Sequence, residues 1–155
     1  MRYFTRELIR DFHDLWDYRH PERAGTLWQK AVNDYLIGYQ KTVEPFLSER
    51  FKKKYHRFEG FHDCEIKSLQ YNFEKRNMMI SLSGDKGNCS LSYRGVKKAS
   101  IEYETKLSGS MPLFWLYDEL SLLEEGSVQH NILCFDIKTL TYPEIIIAFD
   151  RLAIL

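Results

Sequence analysis

Four consecutive residues, His62-Asp63-Cys64-Glu65, form the densest group in the chain able to bind a metal or move a proton, and His56 lies six positions earlier. On a strand, successive side chains point to opposite faces. His62 and Cys64 would then share one face, with Asp63 and Glu65 on the other. That alternation divides the set. A structural zinc is held by four ligands at close pair spacings such as C-x-x-C, and the sequence has no such pair. A catalytic metal would need His56, His130 or Asp118 brought in by the fold. His62 and Asp63 are therefore the candidates for catalysis, and no metal or cofactor is expected. The competing expectation is that one of the two ties a helix-to-strand connection to neighbouring backbone.

A second group is Asp118, Glu119, Glu124 and Glu125. Carboxylates at a set separation hydrolyse glycosides, but sequence neighbours beside a hairpin are expected to face solvent. There they would meet a basic protein and speed association. Trp115 and Tyr117 stand just before them, interleaved with Phe114 and Leu116. Trp and Tyr dominate interface hot spots, although large aromatics more often fill cores. The predicted partner surface is thus Trp115, Tyr117, Asp118, Glu119, Glu124 and Glu125, set against plain solubility and core packing. The basic run Arg50, Lys52, Lys53, Lys54, His56 and Arg57 reads as a solvated helix face. No G-x-S-x-G nucleophile turn is present. Gly84-Asp85-Lys86-Gly87 lacks the Lys-Ser/Thr that completes a phosphate loop.

The elements that must position these groups change type near Phe61. Before it, apolar residues repeat at helical spacing. Leu8, Ile9, Phe12, Leu15 and Trp16 mark a helix capped by Thr5 and ending near Tyr18, before Pro21. Trp28, Val32, Tyr35, Leu36, Tyr39, Val43, Phe46 and Leu47 mark a second, long helix, with a kink or break expected near Pro45. After Phe61 the period becomes two. Cys64 and Ile66 on one parity and Leu69, Tyr71 and Phe73 on the other predict a long strand with a bulge near Lys67-Ser68. Met78, Ile80 and Leu82 continue after a turn, and Gly84–Asn88 turns again. Leu91 and Tyr93 follow. Ala99, Ile101 and Tyr103 alternate with polar residues, and Thr105–Pro112 reads as a loop. The run 113–122, the turn Glu125-Gly126-Ser127, the return from Val128 and a last strand after Pro143 complete about seven strands. Short links demand antiparallel neighbours. The prediction is an α+β protein: an N-terminal helical pair packed on an antiparallel, curled sheet.

The chain of 155 residues suits a single domain, with residues 1–60 helical and 61–155 β-rich. Apolar residues make up 44%, enough for a core. Formal net charge is zero, which argues against a dedicated nucleic-acid binder. Residues 1–60 hold 12 Lys/Arg against 9 Asp/Glu, and the remainder 10 against 13, a dipole too small to name a partner. No apolar run suggests a membrane span or signal peptide. Three widely spaced cysteines fit buried thiols in a reducing cytoplasm.

Several pieces resemble one uncharacterised bacterial family, a domain of unknown function. They are Met1-Arg2-Tyr3-Phe4-Thr5-Arg6-Glu7-Leu8, Phe61-His62-Asp63-Cys64-Glu65-Ile66, Gly95-Val96-Lys97-Lys98-Ala99-Ser100-Ile101 and Trp115-Leu116-Tyr117-Asp118-Glu119-Leu120. The resemblance implies a long helix, a His-Asp strand entry and a β-rich remainder. It implies no mechanism. In size and layout the chain is also similar to bacterial immunity proteins, which neutralise a toxin. The function expected is a non-enzymatic, cytoplasmic protein-binding module of that type, its partner a protein such as a toxin. The alternatives are an enzyme with a site near His62 and Asp63, and a self-associating protein whose strand edge pairs with its own copy.

Overall fold

The computed structural model describes residues 1–13, 21–102 and 112–155. Among these residues three α-helices precede eight strands. Helix α1 spans Arg6–His13. Thr5 caps it, as its sequence predicts: the Leu8 amide donates to Thr5 Oγ1 at 3.2 Å. The expected helix end near Tyr18 lies outside the described residues.

The long kinked helix of the sequence reading is instead two helices. Helix α2 spans Pro21–Thr42. A single 3-10 turn, Glu44–Phe46, then carries Pro45, and Leu47 is extended with ψ 140°. Helix α3 spans Glu49–Arg57 and starts afresh at Ser48, whose hydroxyl accepts from the Phe51 amide at 3.2 Å. Proline supplies no N–H and suits the first positions of a helical turn. A serine just ahead satisfies one of the amides a new helix leaves open. The apolar period runs on through this break, which is why it reads as one helix.

The strands are β1 (Glu65–Asn72), β2 (Asn77–Gly84), β3 (Gly87–Arg94), β4 (Lys98–Glu102), β5 (Leu113–Leu122), β6 (Val128–Asp136), β7 (Glu144–Phe149) and β8 (Arg151–Ile154). They form one antiparallel sheet in the order β4-β7-β6-β5-β1-β2-β3-β8. The eighth strand, beyond the seven expected, is β8. It follows β7 after one residue and is too short for alternation to show. The bulge near Lys67-Ser68 is present, with the register shifting between Ile66 and Ser68. Gly84 pairs with Gly87 across the Asp85-Lys86 turn. Phe73, expected in β1, lies in the following turn. Tyr103 lies outside the described residues, as does all of the Thr105–Pro112 loop except Pro112.

The sheet closes on itself. Arg94 pairs with Arg151 and Lys98 with Ala148, so the three residues between them on one strand face two on the other. The β3/β8 and β4/β7 ladders are therefore one ladder with a one-residue bulge. The Lys97 amide donates to Ala148 O at 2.8 Å and the Asp150 amide to Arg94 O at 3.1 Å, bridging the bulge. Gly95 sits there at φ 65°, where a Cβ would collide with the Asp150 carboxylate. With β3–β4 and β7–β8 each counted as one bent strand, the order becomes a ring of six. Tyr93 on β3 accordingly meets His130 on β6, four places away in the open order.

Inside the ring lie Ile66, Ile80, Leu91, Tyr93, Trp115, Ile132, Ile145, Ile147 and Phe149, with Phe51, Phe58 and Phe61 entering from α3 and the turn after it. Burying each such side chain contributes about 1.5–3 kcal/mol before conformational entropy is counted. A second cluster packs Trp28, Val32 and Tyr35 of α2 with Phe4, Ile9, Tyr117 and Leu133 on the outer face of β5 and β6.

Candidate functional site

A bulge in β5 decides where its charged residues point. The β5/β6 register shifts between Trp115 and Tyr117, so Leu116 is the extra residue. Odd positions Leu113 and Trp115 face inward before it, and Leu120 and Leu122 face inward after it. Asp118 therefore turns into the ring beside Trp115, while Glu119 turns outward under the N-terminal segment. Both are buried. Their expected solvent exposure is corrected: they lie within a ten-residue strand rather than at its hairpin end.

Asp118 is the hub of a sealed network. Tyr55 Oη donates to it at 2.9 and 3.0 Å, Trp115 Nε1 at 3.2 Å and His130 Nε2 at 2.8 Å. The other ring nitrogen of His130, Nδ1, is hydrogen-bonded to Tyr93 Oη at 2.9 Å. A buried carboxylate is tolerated when charge-assisted donors surround it. Burial, then the Asp118 charge, holds Tyr55 and Tyr93 well above the ordinary phenol value. Burial and the same charge raise Tyr35, whose hydroxyl accepts from the Leu120 amide at 3.0 Å. The chain Tyr93–His130–Asp118 has the parts of a proton relay. His130 and Tyr93 are fully buried, however, and every polar end of the relay meets another protein group. Its chemistry is spent on holding α3 and three strands, β3, β5 and β6, together.

Glu119 holds the N-terminal segment. Its carboxylate accepts from the amides of Arg2, Tyr3 and Phe4 at 2.7, 2.7 and 2.5 Å. Glu144 on β7 repeats the device. It accepts from the Met1 amino nitrogen at 2.6 Å and from Asn131 Nδ2 at 2.8 Å.

His62 and Asp63 form an exposed pair, Nδ1 to Oδ2 at 2.8 Å. The His62 ring meets Tyr117 edge-on at 5.0 Å. Among the described residues no three of His, Cys, Asp and Glu converge in a way that could hold a metal. The connection they occupy is tied by backbone: the Asp63 amide donates to Trp115 O and the Trp115 amide to Cys64 O, both at 2.8 Å. Glu59, Gly60, Phe61 and Asp63 all have φ between 52° and 68°. For residues other than glycine this conformation costs roughly 1–2 kcal/mol each. The tight path delivers Phe61 to the core against Tyr55, Phe58 and Trp115.

Of the predicted partner surface, Trp115 lies fully inside, packed on Phe61 and His130. Tyr117 is half-buried in the outer aromatic cluster with Phe4 and Trp28. Glu124 and Glu125 stand exposed at the tip of the β5–β6 hairpin. Glu124 borders a cleft of about 770 Å³ between the N-terminal segment, α2 and that hairpin, lined also by Arg2, Tyr3, Tyr35, Tyr39 and Leu123. Burial, then the charges of Glu44 and Asp118, pushes Tyr39 up to about 12. Sequence reasoning missed this cleft and the Tyr55–Asp118–His130–Tyr93 network. One signal existed. Leu120 faces His130 across the hairpin, so Asp118, two residues back on the same face, is diagonal to His130.

No protein-family model matches the chain, and no curated protein matches it. A crystal structure of an uncharacterized protein from Neisseria gonorrhoeae is similar at 14% identity, over 61% of this chain and 91% of that one, with a TM-score of 0.44. No helix among the described residues is long and apolar enough to cross a membrane.

Proposed function

We propose that the protein is a non-enzymatic binding module whose partner is a protein, and that it acts in the manner of a bacterial immunity protein. The observation that carries this reading is the cleft of about 770 Å³, walled by Tyr3, Tyr35 and Tyr39 and edged by Glu124. Tyrosines at a concave surface are typical anchors for a partner side chain. The exposed carboxylate of Glu124 on the rim, with Glu125 next to it at the hairpin tip, favours a basic partner and speeds its approach. The buried free thiols of Cys64, Cys89 and Cys134 fit a cytoplasmic setting. The resemblance to an uncharacterised bacterial family, and more loosely to immunity proteins, belongs to the same reading.

Affinity capture on the tagged protein tests it, with Glu124→Lys/Glu125→Lys as the matched control. A stoichiometric protein retained by the original chain and lost from the double variant supports the proposal. Inhibition of that partner's own activity would make it immunity-type. A partner retained equally by both, or no partner at all, removes the proposal.

A further inference from the structure

The β4 edge is a second surface, independent of the cleft. β4 bonds to β7 along one side, and the β2/β3 ladder stops at Arg94, so where the bent strand runs on as β4 no strand among the described residues pairs with its other side. That free side borders a groove of about 540 Å³ shared with Leu69, Tyr71, Phe73 and Met78. Phe73 is 82% exposed and Ile101 40%. The Tyr71 and Phe73 rings meet edge to face with centroids 4.6 Å apart. An unpaired edge beside exposed apolar side chains is a template for another strand.

The residues of β4 select which strand. Its sequence is Lys98-Ala99-Ser100-Ile101-Glu102. Paired antiparallel with itself about Ser100, it sets Lys98 opposite Glu102 of the second copy, and the two-fold axis repeats the contact. Ala99 meets Ile101 of the second copy in the same way. Opposite charges facing across paired strands stabilise them, and like charges destabilise them. Lys98 and Glu102 are exposed and make no ion pair among the described residues. We infer that the protein forms a two-fold dimer by antiparallel pairing of β4 with β4 of a second copy, with Lys98 facing Glu102 across the seam and Tyr71 and Phe73 covering its ends.

A five-residue edge with a few apolar neighbours is a small interface, so monomer and dimer should exchange with concentration. Sedimentation equilibrium of the full chain, from micromolar to near-millimolar concentration, tests this. The expected mass rises from the 18.5 kDa monomer toward twice that value. K98E alone places like charges at both symmetry-related contacts and should weaken the dimer about tenfold, as should E102K alone. The double variant K98E/E102K restores opposite charges and should recover the original dissociation constant. An equimolar mixture of the two single variants should associate more tightly than either alone. A monomer at every concentration overturns the inference, and so does a dimer unmoved by both single reversals. Far-UV circular dichroism of each variant confirms that the surface changes leave the fold intact.

Discussion

Among the described residues two histidine–aspartate pairs share a 2.8 Å separation in opposite surroundings. His62 and Asp63 are sequence neighbours and stand in solvent. His130 and Asp118 come from facing strands and have side chains 0% and 4% exposed. An exposed pair contributes little, because water and salt screen it. The buried pair belongs to a network in which removing one member leaves several donors unsatisfied. Proximity in sequence thus marks the pair that matters less to the fold. The important pair is assembled by a strand register and a bulge.

The sharpest way to break that contrast is Asp118→Ala. It strands Tyr55 Oη, Trp115 Nε1 and His130 Nε2, and should cost about 3–5 kcal/mol in denaturant unfolding. Asp63→Ala should cost under about 1 kcal/mol. Equal losses from the two would end the comparison. Next is Glu119→Ala, which leaves three amides without their acceptor. It should cost about 2–3 kcal/mol and free the N-terminal segment, read as faster amide exchange at Arg2, Tyr3 and Phe4.

Alkaline pH should act on the buried network and not on the exposed pair. Unfolded tyrosines ionise near pH 10 (about the reference value), whereas burial keeps Tyr55 and Tyr93 protonated in the fold well beyond that. Above this pH the native state binds more protons than the unfolded state, so stability is full below it and falls as pH rises. Each such tyrosine contributes a slope of about 1.4 kcal/mol per pH unit. Tyr93→Phe should be less stable at neutral pH, through its lost bond to His130, and should show a shallower alkaline decline. An unchanged decline would mean that Tyr93 is not sealed. The smallest expected effect is at the exposed connection. Glu59→Gly relieves a φ of 52° and should raise stability by up to about 1 kcal/mol, measured by thermal unfolding.

Local chemistry was legible in the sequence wherever it acts locally. The Thr5 cap, the Lys67-Ser68 bulge and the Gly84–Asn88 turn all follow from residue type and spacing. What escaped depends on contacts distant in sequence. The Leu116 bulge, which turns Asp118 inward, lies in a continuous apolar run where either parity looks equally buried. β8 is four residues long, and its strand character comes from pairing with β3. Ser48 was hidden because apolar spacing continues across the break at Pro45. The cleft near Glu124 joins residues 2, 39 and 124, which no local pattern connects.

The closed ring also sets an order of assembly. β1-β2-β3 and β5-β6-β7 are each three strands joined consecutively, so each forms from neighbours in sequence. Two seams then unite them. One is brief, with Asp63–Ile66 lying against Leu113–Trp115. The other pairs residues 91–102 with 144–154. Contacts that close long loops form late and slow the overall rate. The two sheets should therefore gain exchange protection first, and the long seam around Gly95 and Asp150 should zip last. Once folded, the brief seam is where the ring should part first, letting water reach the carboxylate of Asp118 before either sheet unravels.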